Sequence, residues 1–495
     1  MSERVLVIGA GIGGLCTALA LGPTGREVLI LERDPPPPTG DADHAFTDWN
    51  RRGVGHLRHS HAFLARLRGI IWRQHPQLHA DLLAAGCREL TFEAGLSDLL
   101  RRRYRPEPID AELAIITSRR TTLELVIRRY VERLPNVTIR SEAFVSRLIT
   151  EPGPPLRVTG LELQGGEILK GDLVVDAGGR LSSAMEQLEA EGAPIHEEAE
   201  PAGILYFTRH YRLRPGCAEP PRGKAPATGD LGYLKFGVFP GDNGCFSITL
   251  CAPEIELALR TAIVDPSVFD AVCRQMPGMA PWIDPERSEA VSKVFGMGDL
   301  VSRWRDVTAD GQPAVLGFFP LGDSLVRTNP LYGRGCSFAA VSAYLLKDAL
   351  EAGTDPGQRL VAYSAAITTE LRPYYLSMRT QDRAAARRAR QMLTPSYRPG
   401  LRSRVIRSFL EDGVAVAIRS DPALLRAAMR GFHMLEHPSA WLRRPRNLMQ
   451  VLRYWARGKT RNAEAYPPKA GPDREPLMRA IGVAPDADIE RLKAA

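Results

Sequence analysis

The chain has 495 residues, 44% hydrophobic and 25% charged, which excludes a disordered or fibrous protein. At roughly 150 residues per domain it holds two or three structural units. Its seven cysteines include no Cys-x-x-Cys pair, which excludes a zinc ribbon and a disulfide framework and points to reduced thiols in a cytoplasm. The formal net charge of +8 is uneven: residues 381–460 carry 17 Lys and Arg against 5 Asp and Glu, a net of +12, leaving the remainder at −4.

The first stretch, VLVIGAGIGGLCTALAL, is apolar enough to imitate a signal peptide. Glu3 beside Arg4 and the interrupting glycines argue instead for a buried strand, Val5–Ile8, turning into a helix. No other stretch is apolar for ~18 residues, so no spanning helix is expected. Gly9, Gly11 and Gly14 have Gly-x-Gly-x-x-Gly spacing, and a second strand, EVLILE, ends at Glu32, 23 residues after Gly9. Gly9 permits the tight turn, Gly11 lets a pyrophosphate approach the main chain, and Gly14 lets helix and strand pack closely. The helix N-terminus then faces the phosphates. Glu32 suits an adenosine ribose and disfavours a 2′-phosphate, so the dinucleotide is FAD or NAD rather than NADP.

Residues 51–64, RRGVGHLRHSHAFL, set His56, His59 and His61 among Arg51, Arg52 and Arg58. The spacing could ligate a metal, but the neighbours are cationic and no carboxylate or cysteine is near, so no metal is assigned. The loop either hydrogen-bonds main chain or faces a ligand and moves protons near neutral pH. Residues 115–138 read as turn, amphipathic helix and strand. Arg119 and Arg120 compete at the helix start, one of them expected to face solvent. Hairpin-like segments follow, ending in DLVVDAGG, which places Asp176–Gly179 at the carboxyl end of a mid-sheet strand, where ligands bind. Residues 186–300 read as an inserted antiparallel sheet, with Tyr206, Phe207, Phe236, Phe239 and Phe246 as candidate pocket residues. No charged pair stands out to clamp a substrate carboxylate, which favours an apolar substrate. The stretch LGDSLVRTNPLYGRGCSF (321–338) then joins a strand to a helix, and without a lysine after its glycines it is not an ATP-type phosphate loop.

Taken together, the opening glycines, LVVDAGGRLS and LGDSLVRTNPLYGRGCSFAA resemble FAD-dependent monooxygenases of the para-hydroxybenzoate hydroxylase fold, over roughly residues 1–350. NPLYGRG and RRGVGHLRHSHAFL are similar to a bacterial subgroup of polyether and squalene-type flavin epoxidases. Gly55 and His56 depart from that subgroup's Pro-Gln, and Arg334 from its Gln. The resemblance implies an α/β fold: a Rossmann-like FAD-binding domain in two parts (1–185 and 301–355) and an inserted antiparallel-sheet substrate domain (186–300); beyond it, charge and periodicity read as a basic helical region (356–465) and a tail (466–495). It implies that Asp323 holds the ribityl chain, that Pro330 and Tyr332–Gly335 (Gly333 and Gly335 among them) line the flavin ring, and that the helix from Cys336 stabilises the anionic flavin. Arg120, opening an Arg-x-x-Leu-Glu helix start, would contact phosphates or ribityl hydroxyls. Val145 would hold the adenine, and Arg33 and Arg51 would join Glu32 at the cofactor. His59 or His61 would be the catalytic proton carrier.

The implied reaction reduces FAD with transient NAD(P)H, activates O2 as a C4a-peroxyflavin and passes one oxygen to an apolar alkene or aromatic. Rival readings are a reductase of the geranylgeranyl-reductase kind and a non-enzymatic flavin or lipid binder. In the basic region, RRPRNLMQVLRYWARGK puts Leu448, Val451, Leu452 and Trp455 on one helix face. It could cap the substrate domain, lie on an anionic membrane as a peripheral contact, or dock an acidic carrier protein; no nucleic-acid motif accompanies it. The Pro- and charge-rich tail after Tyr466 reads as partly disordered.

Overall fold

Val5, Leu6 and Val7 are fully buried because their strand, β1 (Arg4–Ile8), is flanked on both edges and covered on both faces. A computed structural model describes residues 2–394, 397–486 and 488–489. After β1 come α1 (Ile12–Leu21), β2 (Glu27–Leu31), α2 (Arg120–Val131), β3 (Val137–Arg140), β4 (Val145–Glu151), β5 (Leu156–Leu163) and β6 (Leu173–Asp176). The substrate-side insertion carries β7 (Ile204–Leu213), β8 (Lys235–Pro240), β9 (Cys245–Pro253) and α3 (Pro266–Arg274). The chain returns through β10 (Phe318–Pro320) into α4 (Gly335–Glu351). It ends in α5 (Pro356–Met392), α6 (Leu401–Ser408), α7 (Pro422–Phe432), α8 (Pro445–Arg461) and α9 (Arg474–Ala480).

The five-stranded parallel sheet has the order β10-β6-β1-β2-β3, so the late segment pairs beside the middle one and returns to the domain that the N-terminus began. Helix α1 packs against α4, which brings the glycine-rich starts of both helices to one side of the sheet. Gly14 makes the first turn possible: a Cβ there would lie 1.9 Å from the carbonyl oxygen of Gly9. The insertion is a six-stranded antiparallel sheet in which β8, β9 and β7 are neighbours. Its outer face packs on α3, whose Asp265 cap accepts from the main-chain N–H groups of Ser267 and Val268.

Two expectations about the C-terminal part need correction. The tail is ordered where it is described: α9 seats Leu477 and Met478, both fully buried, in the core of the substrate-side sheet, and the Tyr233 hydroxyl donates to the Pro472 carbonyl at 2.8 Å. Arg474 pairs there with Glu256 at 2.8 Å. Residues 490–495 lie outside the described residues. The apolar face of α8 is also split. Val451 and Tyr454 are buried, whereas Leu448, Met449 and Leu452 are 38%, 53% and 37% exposed. Periodicity marks an apolar stripe but not which part of it a neighbour covers.

Replacing Leu477 with Ala is expected to cost about 2–5 kcal/mol in denaturant unfolding, as deletion of a buried core side chain does; a disordered tail would give no change.

Candidate active site

A cavity of about 1150 Å³ runs from the carboxyl ends of β1 and β6 to the inner face of the antiparallel sheet. At one end it is lined by Gly9, Gly11, Glu32, Arg33, Arg51, Arg120 and Val145, and farther along by His56, His59, His61, Asp323, Pro330, Gly333, Gly335 and Cys336. Gly14 lies off the cavity wall, since it serves the helix–strand contact. Gly9 has φ +90° and a Cβ would meet the Ala177 carbonyl at 2.8 Å, while a Cβ on Gly11 or Gly335 would meet nothing. The two open glycines mark the N-termini of α1 and α4. Neither first turn carries an acid or a side-chain cap, so free N–H groups and the positive dipole end of both helices face the same space. A bent ligand with a pyrophosphate at one helix start and an electron-rich ring at the other fits this cradle.

Glu32 is buried and holds the turn together. Its carboxylate accepts from the Ala10 N–H at 2.7 Å, the Asp34 N–H at 2.9 Å and Arg51 Nη2 at 3.0 Å. Arg51 donates onward to Glu124 at 3.0 Å, and Glu124 accepts from Arg120 Nε at 2.6 Å. Arg120 Nη1 then reaches His61 Nε2 at 3.3 Å. Because a guanidinium only donates, Nε2 is the acceptor and His61 Nδ1 carries the proton, which it gives to the His59 carbonyl at 2.8 Å. Both ring nitrogens of His61 are thus committed to protein partners. In this geometry His61 lines the cavity and positions Arg120. His59 Nδ1 meets the Thr208 hydroxyl on β7 at 3.0 Å, and a ladder of hydroxyls continues through Thr249, Ser60 and Ser247. His59 therefore ties the loop to the substrate-side sheet.

The electrostatics follow from burial. The imidazoles of His56 and His61 are held well below the usual range, by burial first and then by Arg120, and burial lowers His59 to about 4. Among the described residues no group of three His, Cys, Asp or Glu is placed to hold a metal. Burial pushes the Asp323 carboxyl up, and Arg120, Arg327, Arg303 and Arg180 pull it back; no protein group donates a hydrogen bond to its side chain among the described residues. Burial raises the Cys336 thiol to about 11, so it is protonated at neutral pH.

Arg119 does not face solvent. It is buried against Asp242 at 2.6 Å, at the base of the antiparallel sheet, while Arg120 turns to the cavity. Adjacent side chains at a helix start diverge, and each here finds its own acid. Arg334 is neither solvent-facing nor a cavity-lining residue. Its guanidinium sits 5.2–5.8 Å from the ring centroids of Tyr332, Tyr374 and Phe432, and burial lowers its pKa to about 10. Of the five candidate aromatics, Tyr206 and Phe239 stand on the cavity face of the sheet, and Phe236 borders the cavity from the opposite face, where it joins the outer core. Phe207 and Phe246 face the other side of the sheet, where Phe246 packs on Tyr211 and Trp282, because successive strand residues alternate faces.

Some functional residues have no signature in the sequence. Asn329 caps the turn at Pro330, accepts from the Tyr206 hydroxyl, and donates to Asp382 of α5 at 2.8 Å; Tyr332 donates to the same carboxylate at 2.9 Å. Asp382 lies 53 residues beyond Asn329, inside a helix, with nothing local to mark it. Glu124 was findable, four residues after Arg120, where helical side chains meet.

Acid should act on this loop in a defined direction. The unfolded chain protonates His59 below about pH 6.5 and the folded chain only below about 4, so folding loses stability as pH falls through that interval. His59→Asn removes the linkage. The stability gap between wild type and His59→Asn should therefore narrow between those pH values, by up to ~3 kcal/mol, in chemical unfolding at stepped pH.

Residues 4–209 match the family model of FAD dependent oxidoreductases. Protein Rv3254 of Mycobacterium tuberculosis is 26% identical over 464 residues, covering 88% of this chain and 90% of that protein. Kynurenine 3-monooxygenase of Salinispora tropica is 24% identical over 386 residues, covering 74% and 76%. Among solved structures, PqsL of Pseudomonas aeruginosa, described as a probable FAD-dependent monooxygenase, superposes with a TM-score of 0.54 at 18% identity, over 79% of this chain and 98% of its own. Residues 4–209 are thus similar to FAD dependent oxidoreductases, and the chain shares the fold of PqsL around the two-ended cradle.

Proposed function

We propose that the chain is an FAD-dependent monooxygenase that uses NAD(P)H and O2 to place one oxygen atom on an apolar alkene or aromatic substrate. One observation carries the reading: a single continuous cavity has the dinucleotide cradle at one end and, at the other, the inner face of the antiparallel sheet, where the Tyr206 and Phe239 rings stand beside the Thr208 and Thr249 hydroxyls. Bound FAD would supply the oxygen-activating redox chemistry.

The residues of this chain have the remaining tasks. The first-turn N–H groups of α1 and the Gly11 cradle hold the pyrophosphate, Glu32 and Arg33 the adenosine end, and Val145 the adenine edge. Arg120, oriented by Glu124 and His61, brings positive charge to the phosphates or ribityl hydroxyls, and Asp323 accepts from the ribityl chain. Pro330, Gly333 and Gly335 let main chain lie against the ring, and the N-terminus of α4 stabilises negative charge on it. The sheet roofs the ring and excludes water. His59 sits where loop, sheet and cavity meet and is the candidate to pass a proton to the oxygen that leaves. The subgroup resemblance to flavin epoxidases favours an apolar substrate.

Incubating the yellow holoenzyme with NAD(P)H, 18O2 and a panel of apolar alkenes and aromatics should give a product carrying one labelled oxygen. A product with two added hydrogens and no label would overturn the reading in favour of a reductase. The cradle has its own test. Gly11→Ala is expected to fold with an unchanged melting temperature but retain less FAD, whereas Gly14→Ala should cost ~3 kcal/mol or more in stability because its Cβ meets the Gly9 carbonyl. Absorbance of bound flavin and thermal melts separate the two.

A further inference from the structure

The first two helical turns of α6 bury nothing. Leu401, Val405 and Ile406 are 71%, 47% and 49% exposed, and no residue of this helix falls in the buried class. These turns open a continuous helical stretch that runs on to Ser420, where Val416 and Ala417 are fully buried. On α8, Leu448, Met449 and Leu452 are likewise exposed. The two helices meet through Phe409 and Trp455, whose rings are 5.4 Å apart, and through Trp455 Nε1 donating to Ser408 Oγ at 3.1 Å. Leu452 lies one turn before Trp455, and Val405 and Ile406 lie one turn before Ser408 and Phe409. The exposed apolar side chains of both helices thus gather beside that contact.

Around them stand Arg402, Arg404, Arg407, Arg446, Arg453 and Arg457, all exposed. Among the described residues none of the six pairs with a carboxylate, and neither helix contains an acid. Elsewhere in the same basic region the arginines are consumed internally: Arg379 and Arg383 pair with Glu198 and Glu200, and Arg426 and Arg430 with Asp110, Glu112 and Glu436. The six arginines beside the apolar patch have no such partner among the described residues.

We infer that the α6–α8 surface docks on an anionic lipid bilayer, lying in the interface with its leucines, Val405, Ile406 and Met449 among the acyl chains and its arginines at the headgroups. An apolar strip edged by unpaired arginines with aliphatic stems matches that boundary. A second copy of this chain would bring like charges face to face. No described helix is long and apolar enough to cross a membrane, so the contact is peripheral.

The test uses the full-length, FAD-loaded protein co-sedimented with phosphatidylcholine vesicles made with and without phosphatidylglycerol. The protein should sediment with the anionic vesicles, stay largely in solution with the neutral ones, and be released by salt. Met449→Asp and the pair Arg404→Gln, Arg407→Gln should each weaken binding about tenfold or more, with flavin absorbance and melting temperature unchanged. Equal recovery with both vesicle types, or wild-type binding by both variants, would overturn the inference. So would a concentration-dependent dimer that Met449→Asp disperses without any vesicle binding, which would make the patch an interface between copies.

Discussion

The structure depends on a buried line of alternating charge. It starts at the Ala10 N–H and passes through Glu32, Arg51, Glu124 and Arg120 to His61, and each link is 2.6–3.3 Å long. Two acids and two arginines cancel, so the desolvation of each is offset by its neighbours. Losing one member would leave an uncompensated buried charge, a cost of about 3–5 kcal/mol. The line also fixes geometry. It joins the ends of β1 and β2, the loop at 51–64, the start of α2 and, through the His59–Thr208 contact, the antiparallel sheet. The dinucleotide end and the substrate end of the cavity are therefore held in register by one network.

A second set of contacts closes the far end. Asn329 in the late loop, Tyr206 on the substrate-side sheet and Asp382 on α5 meet at one point, with Tyr332 alongside. Three segments distant in sequence thereby define the wall around Pro330 and Gly333. Helix α5 acts as a strut: Arg379 grips Glu198 and Glu200 at 2.7 and 2.9 Å, and Asp382, one turn on, receives Asn329 and Tyr332. Movement of the strut would shift the wall of the cavity that faces the chemistry.

What was legible in the sequence was what has a local cause. Gly9, Gly11 and Gly14 each answer a need within a few residues, and the strands and helix between them follow from periodicity. Glu32 was legible as the acid ending the second strand, but its three hydrogen bonds inside the protein were not. The histidine loop was ambiguous because its partners are remote: Arg120 is 59 residues from His61, and Thr208 is 149 from His59. Titration chemistry suggests a proton carrier wherever a histidine faces a ligand. Only the positions of Arg120 and the His59 carbonyl reveal that His61 has both nitrogens engaged. Arg119 misled for a related reason, since its acid, Asp242, comes from the inserted sheet.

The basic region illustrates the same limit in charge rather than geometry. A net +12 over residues 381–460 cannot say which arginines are spent. Folding sorts them. Arg379 and Arg383 of α5 and Arg426 and Arg430 of α7 face the acids of the strand at 196–201, of the segment around Asp110, and Glu436, where the helical region is fastened to the rest of the protein. The arginines of α6 and α8 have no carboxylate partner among the described residues and stand beside exposed apolar side chains. Charge excess and exposed apolar area, two properties a free surface ordinarily keeps apart, coincide on one patch. That coincidence is invisible in the summed charge and emerges only when folding pairs some of the arginines and leaves others beside exposed apolar side chains.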